Sequence, residues 1–235
     1  METSINLQEL LRDVPELREL VSRIRLVSQQ INLRGWAEAN AGNFSLNVSA
    51  TLNGILNTNT AWFLVSRTGS RYRDMAIDPL PSLVLVSPST ETIYPGDAKP
   101  SSEWHCHHLL HEHFRETGRP DLVVLHSHPA SIILLSQMDC YRQEVIFNQS
   151  LKQALPELEL YLPEGIATTF QAKPGSPELA ENSLRALSNK QALIWQGHGL
   201  LCTAQTPDLA MDIMEVVEKA AQLMLYRFFL TKMNH

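Results

Sequence analysis

The chain has 235 residues, of which 44% are hydrophobic and 19% are charged, so it can bury one sizeable core within the size range of a single domain. The net charge of −6 argues against nucleic acid and anionic membrane as partners, because both need a basic surface. No apolar run approaches the ~18 residues of a membrane span. Residues 1–6 lack the basic-then-apolar pattern of a secretory leader, and the odd number of widely spaced cysteines (Cys106, Cys140 and Cys202) indicates reduced thiols, so we expect a cytoplasmic protein.

The first half of the chain begins with a helical pattern and continues with short strands. Apolar residues at intervals of three and four predict amphipathic helix over residues 5–33, with a break near Pro15. Threonine and asparagine dominate residues 50–60, which predicts a loop. Alternating or apolar runs predict four short strands, at 44–49, 62–66, 83–86 and 91–94.

The second half alternates helices with strands. Ser101 and Ser102 open a predicted helix of about 103–117, and the apolar run Leu122 to Leu125 predicts a buried strand. Helices are further predicted at 129–138, 139–155, 176–188 and 207–232, and strands at 158–162 and 192–196. Because no repeat or linker appears, the sequence predicts one α/β domain over residues 1–235.

The most informative stretch is His126-Ser127-His128, at the end of the predicted buried strand. Strand side chains repeat every two residues, so the two imidazoles point to the same side and can chelate one cation. Histidine is the commonest neutral ligand of zinc and similar ions. A pair of this kind is more often incidental than a metal site, so the interpretation depends on the rest of the chain.

Two further residues can complete such a site. His198 lies between Gly197 and Gly199, just after a predicted strand, and would supply a third imidazole. Three protein ligands and an open position are typical of a catalytic zinc ion. Glu103 is predicted at the start of a helix, where it is either an acid favoured by the helix dipole or a general acid/base beside the metal.

A phosphate site is predicted near the same helix start. Ser101 and Ser102 offer hydroxyl and free N–H groups at a positive helix end, and 41–43 and 68–70 are two further small-residue turns. The chain has no glycine-rich P-loop, which favours a compact monophosphate over a nucleotide. The five histidines of the predicted helix lack the His-Glu-x-x-His spacing and are interpreted as surface or core residues: His105, His107, His108, His111 and His113.

Taken in order, these motifs resemble the class II aldolase/adducin head family over about residues 20 to 230. The motifs are Gly35-Trp36, Asn40-Ala-Gly-Asn43, Arg67-Thr-Gly69, Pro100-Ser-Ser-Glu103, His126-Ser-His128 and Gly197-His-Gly199. Within the family, Trp36, the 162–165 segment and the 217–222 helix are most similar to the rhamnulose-1-phosphate aldolase branch. Pro-Ser-Ser-Glu-Trp at 100–104 is shared with fuculose-1-phosphate aldolases.

The resemblance implies a central antiparallel sheet flanked by helices in three α/β/α layers, and a homotetramer with active sites at subunit interfaces. It implies zinc, or another divalent metal, on His126, His128 and His198, with Glu103 either ligating the resting metal or acting as the base. By the same carry-over, the residues that would hold the substrate phosphate are Asn43, Thr68, Gly69, Ser101 and Ser102. The implied reaction is reversible cleavage of a ketose 1-phosphate to dihydroxyacetone phosphate and an aldehyde.

Some features depart from the branch and leave alternatives open. Gln153 stands near the place where rhamnulose-type members carry an acidic lid residue, with Tyr141, Glu144 and Glu157 as unranked substitutes. Other reactions on the same scaffold are pentulose-phosphate 4-epimerase, methylthioribulose-phosphate dehydratase and decarboxylase chemistry. A non-catalytic, adducin-like interaction module is the alternative from another class of function.

Overall fold

The computed structural model of the protein describes residues 6–56 and 59–233. Eight strands form one sheet in the order β4-β3-β2-β1-β5-β8-β7-β6, in which only the β6–β7 pair is parallel among the described strands. The strands are β1 (Asn43–Asn47), β2 (Phe63–Ser66), β3 (Leu83–Ser87), β4 (Thr92–Tyr94), β5 (Val123–Ser127), β6 (Ala167–Thr169), β7 (Ala192–Trp195) and β8 (Gly199–Ala204). The described α-helices are α1 (Leu7–Asp13), α2 (Pro15–Arg34), α3 (Ser49–Leu56), α4 (Tyr72–Met75), α5 (Trp104–Thr117), α6 (Ala130–Ser136), α7 (Glu144–Ala154), α8 (Leu158–Tyr161), α9 (Pro177–Leu187) and α10 (Pro207–Met233).

Helices cover both faces of the sheet, as the alternation along β5 shows. Val123 and Leu125 point into the large apolar cluster that contains the buried residues of α2 and α10. Val124 points to the other face, where it packs with residues of α5 and α9. By the same alternation His126 lies on the α5 face. The predicted α/β fold with an antiparallel sheet between helices is confirmed.

Helix boundaries follow the local signals in the sequence. Pro15 stands at the first turn of α2, where its missing N–H costs no hydrogen bond, so the predicted break occurs there. Gly35 ends α2 in the left-handed conformation with φ 68°, which glycine adopts without strain. Ser176 caps α9 by accepting a hydrogen bond from the Leu179 N–H at 3.2 Å.

Two predicted elements are wrong. Residues 50–56 of the predicted loop belong to α3, because the side chain of Leu52 is fully buried and tertiary packing outweighs the weak helix propensity of threonine and asparagine. The predicted strand at 158–162 is instead α8. The leucines at 158, 160 and 162 fit the alternation of a strand, but only Leu158 and Leu162 are buried, whereas Leu160 is 81% exposed. Burial at a spacing of four residues is typical of a helix. Strands β6 and β8 were not predicted.

Some predictions fall outside the described residues. These are the first residue of the predicted N-terminal helix (residue 5), residues 57–58 of the predicted loop, most of the 1–6 segment tested for a leader, and residues 234–235 at the end of the predicted domain. Within 6–56 and 59–233, no helix has both the length and the apolar character needed to cross a bilayer. All three cysteines are free thiols, and Cys106 and Cys202 are buried.

Candidate active site

The three histidines singled out in the sequence converge in space. His126 lies near the end of β5, His128 follows that strand, and His198 occupies the turn between β7 and β8. Because β5 pairs directly with β8, the turn that carries His198 lies beside the end of β5. One ligand nitrogen from each ring lies within 4.8 Å of the other two. This arrangement can hold one metal ion.

The hydrogen bonds of the rings leave ligand nitrogens available. Nδ1–H of His126 donates to the carbonyl oxygen of Leu200 at 3.0 Å, and Nδ1 of His128 lies 2.7 Å from Oε1 of Glu38. The Nε2 atoms of both rings are buried without a hydrogen-bond partner in the described chain. In His198 it is Nε2 that lies beside Glu103, 3.6 Å from its carboxylate. A buried polar atom without a partner is costly, and coordination of a divalent cation would satisfy these lone pairs.

Burial also keeps two of the imidazoles, those of His126 and His198, in the neutral form that binds metal. The pKa of His126 lies well below its usual value because the ring is desolvated and because His198 and His128 are close. The same causes, burial and then His128, lower the pKa of His198 to about 4. Neutral histidine is the ligand form, so these two rings can bind a cation near neutral pH.

Gly199 allows the rings to pack this closely. A Cβ atom there would lie 2.6 Å from the carbonyl oxygen of Ser127, 2.7 Å from Cε1 of His126 and 2.9 Å from Cδ2 of His128. The indole of Trp195 stacks on His198 with 5.0 Å between ring centroids and 20° between planes. The position therefore needs glycine, and the neighbouring indole fixes the third ring.

Glu103 is the N-cap residue of α5, yet its side chain makes no capping hydrogen bond. Its carboxylate is buried and accepts a 2.6 Å hydrogen bond from Nδ2 of Asn43. The carboxylate oxygens lie 3.6 Å from Nε2 of His198 and 3.8 Å from Nε2 of His126. Burial raises the pKa of Glu103, whereas the Asn43 hydrogen bond and the nearby His128 oppose that rise. The first-turn acid interpretation does not account for this carboxylate, which faces the imidazoles.

Polar contacts between β1 and α5 set the position of Glu103. Ser45 Oγ lies 2.9 Å from Nδ1 of His107 and 2.8 Å from Nε2 of His111, one and two helical turns beyond Glu103. Asn43 and Ser45 face α5 together because they are two residues apart in a strand. His107 and His111 are therefore core residues, in agreement with the prediction that the histidines of this helix are surface or core residues and not metal ligands.

A cavity of about 140 Å³ opens at the histidine cluster. The cavity is lined by all nine predicted site residues, namely His126, His128, His198, Glu103, Asn43, Thr68, Gly69, Ser101 and Ser102, together with Asn40, Ala41, Gly42, Arg67 and Ser70. Among these residues only Arg67 carries a permanent positive charge. The structure thus brings the predicted metal ligands, the predicted acid/base and the predicted phosphate turns to one cavity.

Comparison with known proteins agrees with this arrangement. The sequence model of the Class II Aldolase and Adducin N-terminal domain family matches residues 22–225. The chain belongs to this family. A rhamnulose-1-phosphate aldolase from Bacteroides thetaiotaomicron is 23% identical over 92% of the chain and 88% of its own length, and one from Shigella boydii is 25% identical over 82% and 80%. The predicted family, and the similarity to the rhamnulose branch, are confirmed.

Solved structures of this family share the fold. A sugar-phosphate aldolase from Thermotoga maritima has a TM-score of 0.81 and 27% identity, covering 92% of this chain and 97% of its own. An L-fuculose-1-phosphate aldolase from Thermus thermophilus has a TM-score of 0.67 at 21% identity over 91% of this chain and 96% of its own, which bears on the fold alone.

Among the described residues that line the cavity, none is one of the three lid candidates, Tyr141, Glu144 and Glu157. The hydroxyl of Tyr141 lies 2.8–2.9 Å from the carbonyl oxygens of Ile194 and Thr169, and Glu144 accepts hydrogen bonds from Thr168. Glu157 lines a separate cavity. Tyr141 and Glu144 therefore support the fold around β6.

Two residues that position the site were missed in the sequence. The hydroxyl of Tyr72 lies 2.9 Å from the carbonyl oxygen of Asn43 and 3.1 Å from that of His126, so it ties the ends of β1 and β5 together. Glu38 contacts His128 from the segment before β1. Neither residue stands in a ligand pattern, and both reach the site through contacts distant in sequence. The one clue that could have pointed to Glu38 is its position between the motif residues Trp36 and Asn40.

Proposed function

We propose that the protein is a metal-dependent aldolase that reversibly cleaves a ketose 1-phosphate, similar to rhamnulose or fuculose 1-phosphate, into dihydroxyacetone phosphate and an aldehyde. The observation that carries the proposal is the convergence of three imidazoles beside a buried carboxylate, where two of the rings keep a buried Nε2 without a hydrogen-bond partner among the described residues. The names of the relatives, rhamnulose-1-phosphate aldolase and sugar-phosphate aldolase, point to the same reaction.

His126, His128 and His198 would hold the metal, for which three imidazoles favour zinc. When bound, a divalent ion supplies Lewis-acid stabilisation of the negative charge that develops on substrate oxygens as the carbon–carbon bond breaks. Glu103 lies within 4 Å of two of the rings. We assign it the proton transfer at C3 of the ketose phosphate, the carbon that stays with dihydroxyacetone phosphate when the C3–C4 bond breaks. The hydrogen bond from Asn43 holds the carboxylate in place for this step.

The phosphate would occupy the part of the cavity lined by Asn43, Thr68, Gly69, Ser101 and Ser102, close to the start of α5. The Asn43 amide and the two serine hydroxyls would donate to it. Thr68 is held in position because its hydroxyl donates to the Pro100 carbonyl at 2.7 Å. Binding energy from this remote group would orient the reacting carbons against Glu103 and the metal.

By resemblance we also propose a homotetramer in the cytoplasm, with active sites at subunit interfaces. Among the described residues, none of the three lid candidates lines the cavity, so we infer that a neighbouring subunit supplies the lid acid. Light scattering of the purified protein tests this assembly, and a monomer with full activity would contradict it.

The function is tested with zinc-loaded protein and a panel of ketose 1-phosphates. We expect release of dihydroxyacetone phosphate, detected through NADH oxidation in a coupled assay. The same panel should include a pentulose 5-phosphate, whose conversion to its 4-epimer without cleavage would favour the epimerase. Metal analysis provides a second arm, because less than one ion per chain after loading, with no turnover, would favour a non-catalytic interaction module.

A further inference from the structure

We propose that Glu38 is a positioning residue for the metal site, which fixes the orientation and protonation pattern of His128 and strengthens it as a ligand. This inference rests on the proposed function, because it needs a metal at the histidine cluster. It assigns a role to a residue that lies outside the cavity lining and that approaches His128 from its far side.

The contact between Glu38 and His128 is short and involves the nitrogen that cannot face the metal. Oε1 of Glu38 lies 2.7 Å from Nδ1 of His128, within the range of a charge-assisted hydrogen bond. The opposite nitrogen, Nε2, is buried without a hydrogen-bond partner in the described chain. A carboxylate accepts but does not donate, so Nδ1 carries the hydrogen and the lone pair of Nε2 is left for a cation.

The backbone holds Glu38 in this place. The N–H of His128 donates to the carbonyl oxygen of Trp36 at 2.7 Å, so the 36–38 segment contacts both the main chain and the ring of His128. The next residue, Ala39, has φ 48°, a left-handed conformation that side chains rarely adopt. The N–H of Ala41 donates to the carbonyl oxygen of Glu38 at 2.8 Å and closes the turn. The carboxylate thus comes from a turn held by two backbone hydrogen bonds.

Apart from Glu103, which lies within 4 Å of Nε2 in both, the two other rings are held by neutral groups, which makes Glu38 distinctive. Nδ1 of His126 donates to a backbone carbonyl, and His198 stacks on Trp195. A full negative charge on the far nitrogen raises the electron density of the imidazole more than a carbonyl dipole does, and it offsets part of the metal charge. We therefore expect His128 to be the strongest of the three ligands.

The chain contains a matched control for this pair. Glu112 lies beside His108 on α5, with 4.0 Å between Oε1 and Nε2, and it is likewise a carboxylate next to an imidazole. Neither residue lines the cavity. Removing the Glu112 carboxylate therefore tests the general effect of losing a negative charge near a histidine in this protein.

The test measures zinc affinity of the full-length protein by competition with a chromogenic chelator at fixed pH. We expect Glu38→Ala to weaken zinc binding about 10- to 100-fold, the usual effect of removing such a partner, and Glu112→Ala to leave it unchanged. Glu38→Gln, which keeps an oxygen acceptor without charge, should fall between these two and covers the case in which the alanine variant misfolds. Excess zinc should restore most of the turnover of Glu38→Ala.

The outcomes separate this inference from the proposed function. Zinc affinities of Glu38→Ala and Glu38→Gln within twofold of the wild type, in proteins that turn over substrate, would overturn the role of Glu38 and leave the aldolase assignment intact. An equal loss in Glu112→Ala would also overturn it, because the effect would then be general. A wild-type protein that binds no zinc would overturn the metal site and this inference together.

Discussion

Two groups of histidines lie a short distance apart and differ in what their nitrogens face. His107 and His111, within α5, both contact the hydroxyl of Ser45. His126, His128 and His198 come from the ends of β5 and β7, and one ligand nitrogen of each ring lies within 4.8 Å of the other two. The first group joins a helix to a strand, and the second surrounds a space large enough for an ion.

The comparison shows which features identify a ligand site. Burial lowers the pKa of His107 to about 3 and that of His198 to about 4, so a depressed pKa is common to both groups. His107 and His111 each also keep one buried nitrogen without a hydrogen-bond partner in the described chain. What the second group alone shows, among the described residues, is the convergence of three such ligands within 4.8 Å.

The largest expected difference comes from removing one ring of each group. His128→Ala should lose bound metal and lower turnover about 10³-fold or more, because the Lewis acid would be gone. His107→Gln should keep one metal per chain and most of the turnover, while it lowers stability. Metal analysis and the coupled assay on both variants decide the matter. Full metal content in His128→Ala would remove that residue from the ligand set.

Glu103→Gln separates the proton transfer from metal binding. We expect kcat to fall about 10²- to 10⁴-fold, the usual contribution of a general acid/base, while the protein still folds and binds metal. Steady-state kinetics with the metal-loaded variant measure this effect. An unchanged kcat would exclude Glu103 from the chemistry.

Ser45→Ala sharpens the structural half of the comparison. The substitution leaves facing nitrogens of His107 and His111 unpaired, which should lower the free energy of unfolding by about 1–3 kcal/mol. Urea unfolding of the metal-free protein tests this, with the half-buried Ser150→Ala on α7 as a control expected to stay within about 0.5 kcal/mol. Bound metal per chain should not change. Equal stability of the two variants would contradict a structural role for the Ser45 contacts.

The smallest effect is a change in the pH dependence of stability. The folded pKa of His107, about 3, lies below the ordinary value of 6.5, so the unfolded chain binds more protons between these values. The stability that comes from burying His107 in its neutral form is therefore fully present above pH 6.5 and is lost as the pH falls toward 3. The pKa of His111 is also lowered by burial, so this residue acts in the same direction. His107→Gln should reduce the slope by at most one proton, about 1.4 kcal/mol per pH unit. Unfolding curves of the metal-free wild type and the His107→Gln variant at pH 7.5, 6 and 5 measure how the free energy of unfolding changes with pH. Equal slopes for the two proteins would contradict this account.

The sequence was most informative where function and backbone are determined locally. His126 and His128 share a side because strands alternate, and Pro15 and Gly35 bound a helix through their own conformational limits. The predicted phosphate-binding residues came from the resemblance to the family motifs. Sequence reasoning failed where tertiary contacts decide, as in α3, which forms around the buried Leu52, and in Glu38, which meets His128 across 90 residues.

The crowding around Gly199 makes this position a marker for tracing how such sites are lost. A methyl group there would collide with the Ser127 carbonyl oxygen and with two of the rings. Because the shortest of these contacts is with a backbone carbonyl, loss of the imidazoles alone would not make room for alanine. A larger residue at this codon would require the ends of β5 and β8 to move apart, so it would mark lineages in which the ion-binding geometry itself has changed.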